Sequence, residues 1–276
     1  MKGIDVAEKQ LLERDRIAIH YNDEFHINSK KYNDQSSSFK KAHNALQDIG
    51  KNGTLIMFEY NNPFVFHIAE IAQGTMIEPM IFYSNKEKIV YKTMKYINRK
   101  TFNYSEYPLL AALKPPFSTI CSRSENIDKL VHHLYFKNEI PVIVENLHPK
   151  MLEQLCEAYL RSEFVPSEIQ LLTTSIKTGK TMPWVDLVGY SKSKKIIYSQ
   201  ITYASESESL KKAKGLVSFV KENGLAILFS NDNRKIVLRG LDYHFLIKDV
   251  FKSFNESKNS VYPSMLKAMI GIKILE

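Results

Sequence analysis

The residues best placed for chemistry are Asp186 and Gln200, which lie on two neighbouring predicted strands. Asp186 interrupts the apolar run 184–188, and Gln200 lies in a second apolar run. If the runs pair as a hairpin about the polar segment 191–194, residues whose numbers sum to about 385 or 386 face one another, so Asp186 faces Gln200. Because side chains alternate along a strand, Thr202 shares the face of Gln200. We therefore expect three polar side chains to converge on one patch.

The chemistry that this patch predicts is coordination of a divalent cation. A half-buried carboxylate costs several kcal/mol unless it is paired or bound to a cation. Mg²⁺ or Mn²⁺ prefers oxygen ligands, which here are the Asp186 carboxylate and a carbonyl oxygen of Gln200 or Ile201, completed by water. The alternative is structural, with Asp186 at a strand end accepting hydrogen bonds from turn amides.

Helices and strands of the second half must position these residues. The i, i+3, i+4 spacing of apolar residues between 151 and 160 predicts an amphipathic helix, with Pro149 in its first turn. The apolar residues 141–144 predict a strand before that helix. After the hairpin, a helix over about 207–222 and a buried strand over 225–229 complete a predicted α/β fold with a mixed central sheet.

The second half resembles the nuclease core of the Mrr-like restriction endonucleases, which belong to the PD-(D/E)xK superfamily. The resemblance is carried by residues 179–189, GKTMPWVDLVG, and by residues 195–202, KIIYSQIT. The superfamily places an acid on one strand and, on the next, an acid or Gln, then any residue, then Lys. The likeness covers about residues 145–276. It implies metal-dependent hydrolysis of DNA phosphodiesters, with Asp186 and Gln200 at the metal.

One position departs from the superfamily pattern, because Thr202 stands where the family has its lysine. Threonine carries no charge and does not act as a base at neutral pH. Either a lysine of the next helix reaches the site, or the domain binds DNA without cutting it. The candidate lysines are Lys211, Lys212 and Lys214. A second carboxylate would come from Glu157, or from Glu153 on the same helix.

The first half predicts an α+β domain, a small β-barrel with helices at its rim. A strand at 17–19 precedes a helix at 38–49, which Ser36, Ser37 and Ser38 can cap and Gly50 would stop. Short strands rich in Ile, Val, Phe and Tyr follow at 54–60, 64–71, 79–83 and 89–97. This order of elements resembles EVE and other PUA-like domains over about residues 14–138. That resemblance implies a reader of modified bases in DNA or RNA.

A reader of this kind needs a base pocket with aromatic and polar walls. The candidate pocket residues are His20, Tyr21, Asn22 and Phe58, with Tyr60 and Phe64 beside them. Arg99 and Lys100 are candidates for phosphate contacts. The alternative is that the aromatic residues form the core of the barrel.

The formal net charge of +8 suits a polyanionic partner, although many soluble enzymes carry a similar charge. We expect a basic rim around Asp186 that contacts phosphates. Its residues are Lys177, Lys180, Lys194 and Lys195, with Lys192 in the same turn. The segment 178–181 ends like a phosphate-binding loop, but it lacks the first glycine of that motif.

Cysteine spacing and the N-terminus bear on the compartment. Cys121 and Cys156 show neither zinc nor redox spacing, and the N-terminus lacks the apolar core of a signal peptide. We therefore expect a cytoplasmic protein that does not associate with membranes.

The sequence predicts two domains, a base-recognition domain over 1–140 and a restriction-endonuclease-like domain over 141–276. We expect a DNA-interacting protein of the restriction or phage-defence type, with plain or modified DNA as partner and Mg²⁺ or Mn²⁺ as cofactor if it cuts. The alternative is a catalytically inactive nuclease fold that binds DNA or another protein. A small-molecule enzyme on a different fold is a third interpretation. A homodimer and a partner protein of a defence system are both compatible with the sequence.

Overall fold

The structure is a computed structural model that describes residues 2–19, 36–60, 62–84, 87–114, 120, 123–177 and 182–273. The chain divides into two compact units, Met1–Ile140 and Pro141–Glu276. We call them the N-terminal unit and the C-terminal unit.

The described residues of the N-terminal unit form four helices and six strands. The helices are α1 (Lys2–Glu13), α2 (Ser37–Asn52), α3 (Pro108–Ala112) and α4 (Glu125–Phe136). The strands are β1 (Arg16–Ile19), β2 (Thr54–Phe58), β3 (Val65–Ile71), β4 (Glu78–Ser84), β5 (Glu87–Lys95) and β6 (Ile97–Asn103). They form two antiparallel three-stranded sheets, ordered β1-β5-β4 and β2-β3-β6.

These two sheets stand where we predicted a barrel, and the strands described show no closed barrel. Helix α2 and both sheets share one apolar core, which includes Leu46, Ile71 and Met94. The chain passes from one sheet to the other at Tyr96, the single residue between β5 and β6. The strand positions follow from local patterns, whereas closure depends on pairing between distant strands, which those patterns do not encode.

Helix α2 begins where the sequence predicts and ends later. The Ser36 side chain accepts a hydrogen bond from the Phe39 N–H at 3.2 Å, as expected of an N-cap. The prediction that Gly50 stops the helix is wrong, because the helix continues to Asn52 and Gly53 (φ +70°) forms its C-cap. Gly50 instead permits close packing, since a Cβ atom there would lie 2.2 Å from the carbonyl oxygen of Thr75.

The described residues of the C-terminal unit form four α-helices and five strands. The helices are α5 (Pro149–Arg161), α6 (Glu206–Phe219), α7 (Ile247–Asn255) and α8 (Val261–Ile270). The strands are β7 (Leu171–Lys177), β8 (Leu187–Ser191), β9 (Ile196–Thr202), β10 (Gly224–Ser230) and β11 (Tyr243–Leu246). They form one mixed sheet of order β11-β10-β9-β8-β7, in which β7, β8 and β9 are antiparallel neighbours and β9, β10 and β11 run parallel.

The β8–β9 register places the candidate site at one edge of the sheet. Leu187 lies opposite Ser199, which confirms the predicted hairpin register. The start of β8 and the end of β9 therefore share an edge, opposite the turn that joins them. Because β10 is parallel to β9, its last residue, Ser230, lies beside Thr202 at this same edge. We call this end of the strands the Asp186 edge, a name that does not refer to an edge strand.

Two elements of this unit differ from the prediction. The predicted strand at 141–144 is wrong, because this segment pairs with no strand and enters a short 3₁₀ turn, Val144–Asn146. Pro141 has no N–H for a sheet, and its carbonyl accepts from the Asn146 side chain at 2.9 Å. Strand β7 was not predicted.

Helices cover both faces of the mixed sheet. The buried residues of α5 are the predicted apolar set, and Tyr159 of this helix contacts Phe229 and Phe245 on one face. Helix α6 packs on the opposite face, against a core that contains Ala226. Close packing there uses Gly215 of α6, where a Cβ atom would lie 2.4 Å from the ring of Trp184.

The packing role of Gly50 predicts a stability effect opposite in sign to helix propensity. Gly50→Ala should lower the free energy of unfolding by about 1–3 kcal/mol, because the added methyl group meets backbone atoms that cannot move aside. The measurement is thermal unfolding followed by circular dichroism. Lys41→Ala, on the exposed face of the same helix, is the control. A more stable Gly50→Ala protein would contradict this account of the close approach.

Candidate functional site

The Asp186 carboxylate is fixed by the end of β9. Asp186 lies directly before β8, not inside the strand as we predicted. Its Oδ2 atom accepts hydrogen bonds from Nε2 of Gln200 at 2.6 Å and from the Ile201 N–H at 2.7 Å. Its own N–H donates to the Ser199 carbonyl at 2.8 Å. The structure thus brings Asp186 and Gln200 together and adds a backbone amide to the carboxylate's partners.

The surroundings of Asp186 keep its proton affinity high. Burial, with a smaller contribution from the charge of Glu153, raises the pKa of Asp186 from 3.8 to about 6. The Ile201 N–H, the Lys212 ammonium and the Gln200 amide act in the opposite direction, because each favours the ionised carboxylate. A carboxyl group whose pKa is raised towards neutral pH, and which lies beside a cleft, is typical of functional acids.

Asp186 opens into a cleft of about 720 Å³. The polar residues in its wall come from α5 and its N-cap, from α6 and from the β8–β9 hairpin. They are His148, Lys150, Glu153, Gln154 and Glu157, then Lys212, then Asp186 and Gln200. Of the three candidate lysines, Lys212 is the one in this wall. The Nζ atom of Lys211, its neighbour, lies 3.8 Å from Oε2 of Glu208 on the same helix.

Glu157 lines the cleft, but other side chains already engage its carboxylate. Thr174 donates to its Oε1 atom at 2.6 Å, and Arg161 forms an ion pair with the same oxygen at 3.0 Å. Glu153 also lines the cleft, and its charge acts directly on the pKa of Asp186. Of the two carboxylates that we considered on this helix, Glu153 is therefore better suited to share a cation with Asp186.

Thr202 is buried and lies apart from the cleft wall. It is 2% exposed at the end of β9, and its hydroxyl has no hydrogen-bond partner among the residues described. The cleft lining contains Gln200 and Ile201 but not Thr202. The predicted convergence therefore holds for Asp186 and Gln200, and Thr202 does not join them.

The oxygens around Gln200 fit a divalent cation. Its Nε2 atom donates both to Asp186 and to the Ile201 carbonyl at 3.0 Å, so two oxygens point at one position. The Oε1 atom of Gln200 is buried without a partner in the described part of the chain. Rotating the amide by half a turn would place a third oxygen beside the other two, which is a ligand set that Mg²⁺ accepts.

Side chains alone do not complete such a site. No group of three or more His, Cys, Asp or Glu residues that could hold a metal occurs within the described ranges. An ion bound here would therefore depend on the Ile201 carbonyl, the Gln200 amide oxygen and water in addition to Asp186.

Only some lysines of the predicted basic rim lie in the described residues, and those in the β8–β9 turn are far from Asp186. Lys194 and Lys195 belong to the β8–β9 turn, at the edge opposite Asp186. Strand β8 separates them from Asp186 by about 17 Å, since a strand rises about 3.3 Å per residue. The expectation that they surround Asp186 is therefore wrong. Lys177 ends β7, while Lys180 lies outside the described residues, as does the rest of the segment 178–181.

Phe58 belongs to an aromatic cluster of the N-terminal unit. Its ring centre lies 5.6 Å from Tyr60, 5.2 Å from His67 and 5.2 Å from Tyr96. The Arg99 guanidinium donates to the Tyr96 hydroxyl at 3.1 Å and lies 5.9 Å from that ring's centre. We call Phe58, Tyr60, His67 and Tyr96 the aromatic cluster. The other predicted pocket residues, His20, Tyr21 and Asn22, lie outside the described residues.

Arg99 and Lys100 do not act as a pair. Lys100 donates to the Tyr135 carbonyl of α4 and lies 4.7 Å from the centre of the Tyr135 ring. Arg99 is exposed beside the aromatic cluster. Arg99 is therefore the better placed of the two for a phosphate.

No family model matches the chain, and no curated protein matches it. Among solved structures, a repair endonuclease from Pyrococcus abyssi aligns with 79% of this chain and 90% of its own, at 10% identity and a TM-score of 0.18. A TM-score this low does not establish a shared fold. No helix within the described ranges is long and apolar enough to cross a membrane.

The raised pKa of Asp186 predicts that its charge costs stability at neutral pH. The folded-state pKa lies above the unfolded value, so the favourable protonated form is lost as pH rises through about 6. Asp186→Asn should therefore raise the free energy of unfolding at pH 7 by roughly 1–3 kcal/mol. The gain should vanish below pH 3.8, where the aspartic acid is protonated in the folded and the unfolded chain and is as uncharged as the asparagine.

Urea unfolding of the full chain at several pH values measures this gain. Asp249→Asn, at an exposed position of α7, is the matched control and should change stability little. A loss of stability in Asp186→Asn at pH 7 would contradict the assigned cost of the buried carboxylate.

Proposed function

We propose that the C-terminal unit is a metal-dependent phosphodiesterase that cuts DNA. The observation that carries the proposal is the meeting of the Asp186 carboxylate, the Ile201 carbonyl and the Gln200 amide in a cleft that also contains Lys212. The PD-(D/E)xK resemblance supports it, since the acid and the Gln-x-Thr segment lie on adjacent strands and α5, α6 and β10 flank the hairpin in the expected order.

Each cleft residue has a separate role in this proposal. Asp186, Gln200 and Ile201 hold Mg²⁺ or Mn²⁺, which when bound makes water a better nucleophile and offsets charge at the phosphorus. Asp186 must be ionised to do so. Glu153 offers a second carboxylate at the rim, and Lys150 offers a cation for the phosphate backbone.

Lys212 is proposed to replace the lysine that is missing at position 202. It lines the cleft, and its charge lowers the pKa of Asp186. Residue 202 is 2% exposed, so a cation there would have to be buried or extend outwards, whereas one from α6 enters the cleft from its wall. Lys212 would stabilise negative charge that develops at the scissile phosphate.

The N-terminal unit is proposed to recognise a base. Phe58 and Tyr60, the half-buried members of the aromatic cluster, would provide a face on which a base stacks, and Arg99 beside them would contact a phosphate. Both PUA-like recognition and a role in restriction or phage defence rest on the resemblances described above. A second copy of the chain or a defence partner would be compatible with either role.

A second candidate function is DNA binding without cleavage. The observation that favours it is the Gln200 amide, whose NH₂ group already donates to both oxygens that a cation would need as ligands. If this arrangement is permanent, Gln200 substitutes for the ion and the fold keeps only its binding surface.

Cleavage assays on the full chain distinguish these functions. Plasmid and phage DNA with plain or modified cytosine are incubated with Mg²⁺, Mn²⁺ or EDTA. We expect metal-dependent nicking that Asp186→Ala abolishes and Lys212→Met slows by about 100- to 1000-fold. Lys211→Met, one residue along the same helix, is the matched control and should cut normally. Intact DNA with every metal and substrate, together with normal DNA binding, would favour the second candidate.

The charges around Asp186 predict opposite pKa shifts in two variants. Lys212→Met should raise the pKa of Asp186 above about 6, and Glu153→Gln should lower it, because the removed charges act in opposite directions. Carboxyl-carbon NMR titration without metal measures both shifts. The cleavage rate should rise as pH passes through the same values. An unchanged pKa in Lys212→Met would rule out the proposed proximity of that ammonium.

A further inference from the structure

One loop of the C-terminal unit presents cations on both sides of a projecting apolar side chain. The loop, residues 231–242, joins β10 to β11. It carries the exposed cations Arg234, Lys235 and Arg239, with Val237 between them. Val237 is 96% exposed, more than any other large apolar side chain in the described part of the chain. The cleft chemistry uses none of these four residues.

Buried hydrogen bonds hold the first half of this loop. The Ile236 N–H donates to Nδ1 of His244 at 2.7 Å, so the ring proton of His244 lies on Nε2. That atom is 2.7 Å from the hydroxyl oxygen of Ser230. His244 is 8% exposed and Ser230 is fully buried. Val237 follows Ile236, whose N–H is bonded to the buried His244 ring. The backbone that exposes Val237 is therefore held in place.

The second half of the loop is anchored independently. The Asp242 N–H donates to the Ala226 carbonyl at 3.0 Å, and the Asp242 carboxylate accepts from the Ala226 N–H at 2.7 Å. Leu241 packs on the core beneath α6. Gly240 adopts φ +87°, which lets the chain turn close to Val217. A loop supported in this way loses little conformational entropy when it binds a partner.

The loop begins at the Asp186 edge and, because β11 runs parallel to β10, ends beside Ala226, towards the opposite end of the strands. Its root, Ser230, is the pairing partner of Thr202 on β9, the strand that carries Gln200. Neighbouring strands are about 4.8 Å apart, so two strand spacings, about 10 Å, separate this root from the start of β8. The first residues of the loop, which follow Ser230, are therefore the part of it nearest the cleft.

We infer that residues 234–239 form a second nucleic-acid contact, in which the three cations bind phosphates and Val237 enters a groove of the duplex. Apolar side chains flanked by Arg and Lys fit a groove because they contact sugars and bases while the cations bind the phosphates on either side. This inference rests on DNA as the partner of the proposed function but not on cleavage.

Charge and shape favour a nucleic acid over the other polyanions. A membrane surface would attract the three cations, but a single valine offers little apolar area for insertion. The chain also carries a net charge of +8, which suits an extended polyanion. Binding to anionic vesicles through this loop is therefore an outcome that contradicts the inference.

Filter binding of a labelled duplex in EDTA tests the loop without cleavage. The variants are the triple substitution R234Q/K235Q/R239Q and the single substitution V237S in the full chain. The matched control, K192Q/K194Q/K195Q, removes the same charge from the opposite edge of the same sheet. Thermal unfolding verifies that each variant folds.

The loop triple variant should bind at least tenfold more weakly than the control triple variant. The slope of log affinity against log salt should become shallower by about 0.9 for each phosphate that the variant no longer binds. V237S should weaken binding without changing that slope. Because the assay is run in EDTA and measures binding alone, failure of the nuclease proposal would leave these results intact.

Three outcomes would overturn the inference. The first is an equal effect of the two triple variants, because bulk charge would then explain the binding. The second is no binding of the duplex by the unaltered chain. The third is loop-dependent binding of vesicles that contain phosphatidylserine together with no loop dependence on DNA.

Discussion

The pairing of β8 with β9 is the constraint on which the candidate site depends. It holds the Asp186 carboxylate against Gln200 and the Ile201 N–H, and it orients the Ile201 carbonyl towards the same position. A shift of one residue in this register would turn Gln200 to the other face of the sheet. The helices on the two faces then decide which charges reach Asp186, with Glu153 from one side and Lys212 from the other.

Burying the Asp186 carboxylate costs free energy, and few charges near it offset that cost. Burial keeps the pKa of Asp186 near 6, and two hydrogen bonds to one oxygen only partly offset this cost. Gln200 and Thr202 add no charge to the buried strand end, and both carry oxygen atoms without partners among the residues described. A fold optimised for stability alone would not retain the Asp186 carboxylate beside the unpartnered oxygen of Gln200, and a cation in the proposed site would account for both.

Local sequence patterns predicted the hairpin and the helices around the site correctly, but they did not predict which charged side chains lie near Asp186. The hairpin register and the buried face of α5 followed from alternation and helical spacing. Residues near in sequence were not near in space, however, because hairpin geometry places Lys194 and Lys195 at the edge away from Asp186. Lys212 could be named only as one of three, since the choice among neighbouring helical residues depends on how the helix docks. The sheet arrangement of the N-terminal unit likewise depends on pairing between distant strands.

The contact between Trp184 and Gly215 has a practical consequence. Trp184 is the only tryptophan of the chain, and its ring rests on α6 two residues before Asp186 in sequence. All indole emission therefore originates at the junction between the hairpin and the helix that carries Lys212. A change in the docking of α6 alters the polarity around this one ring. The protein thus contains an intrinsic fluorophore that reports, without a label, on the position of the helix that carries Lys212.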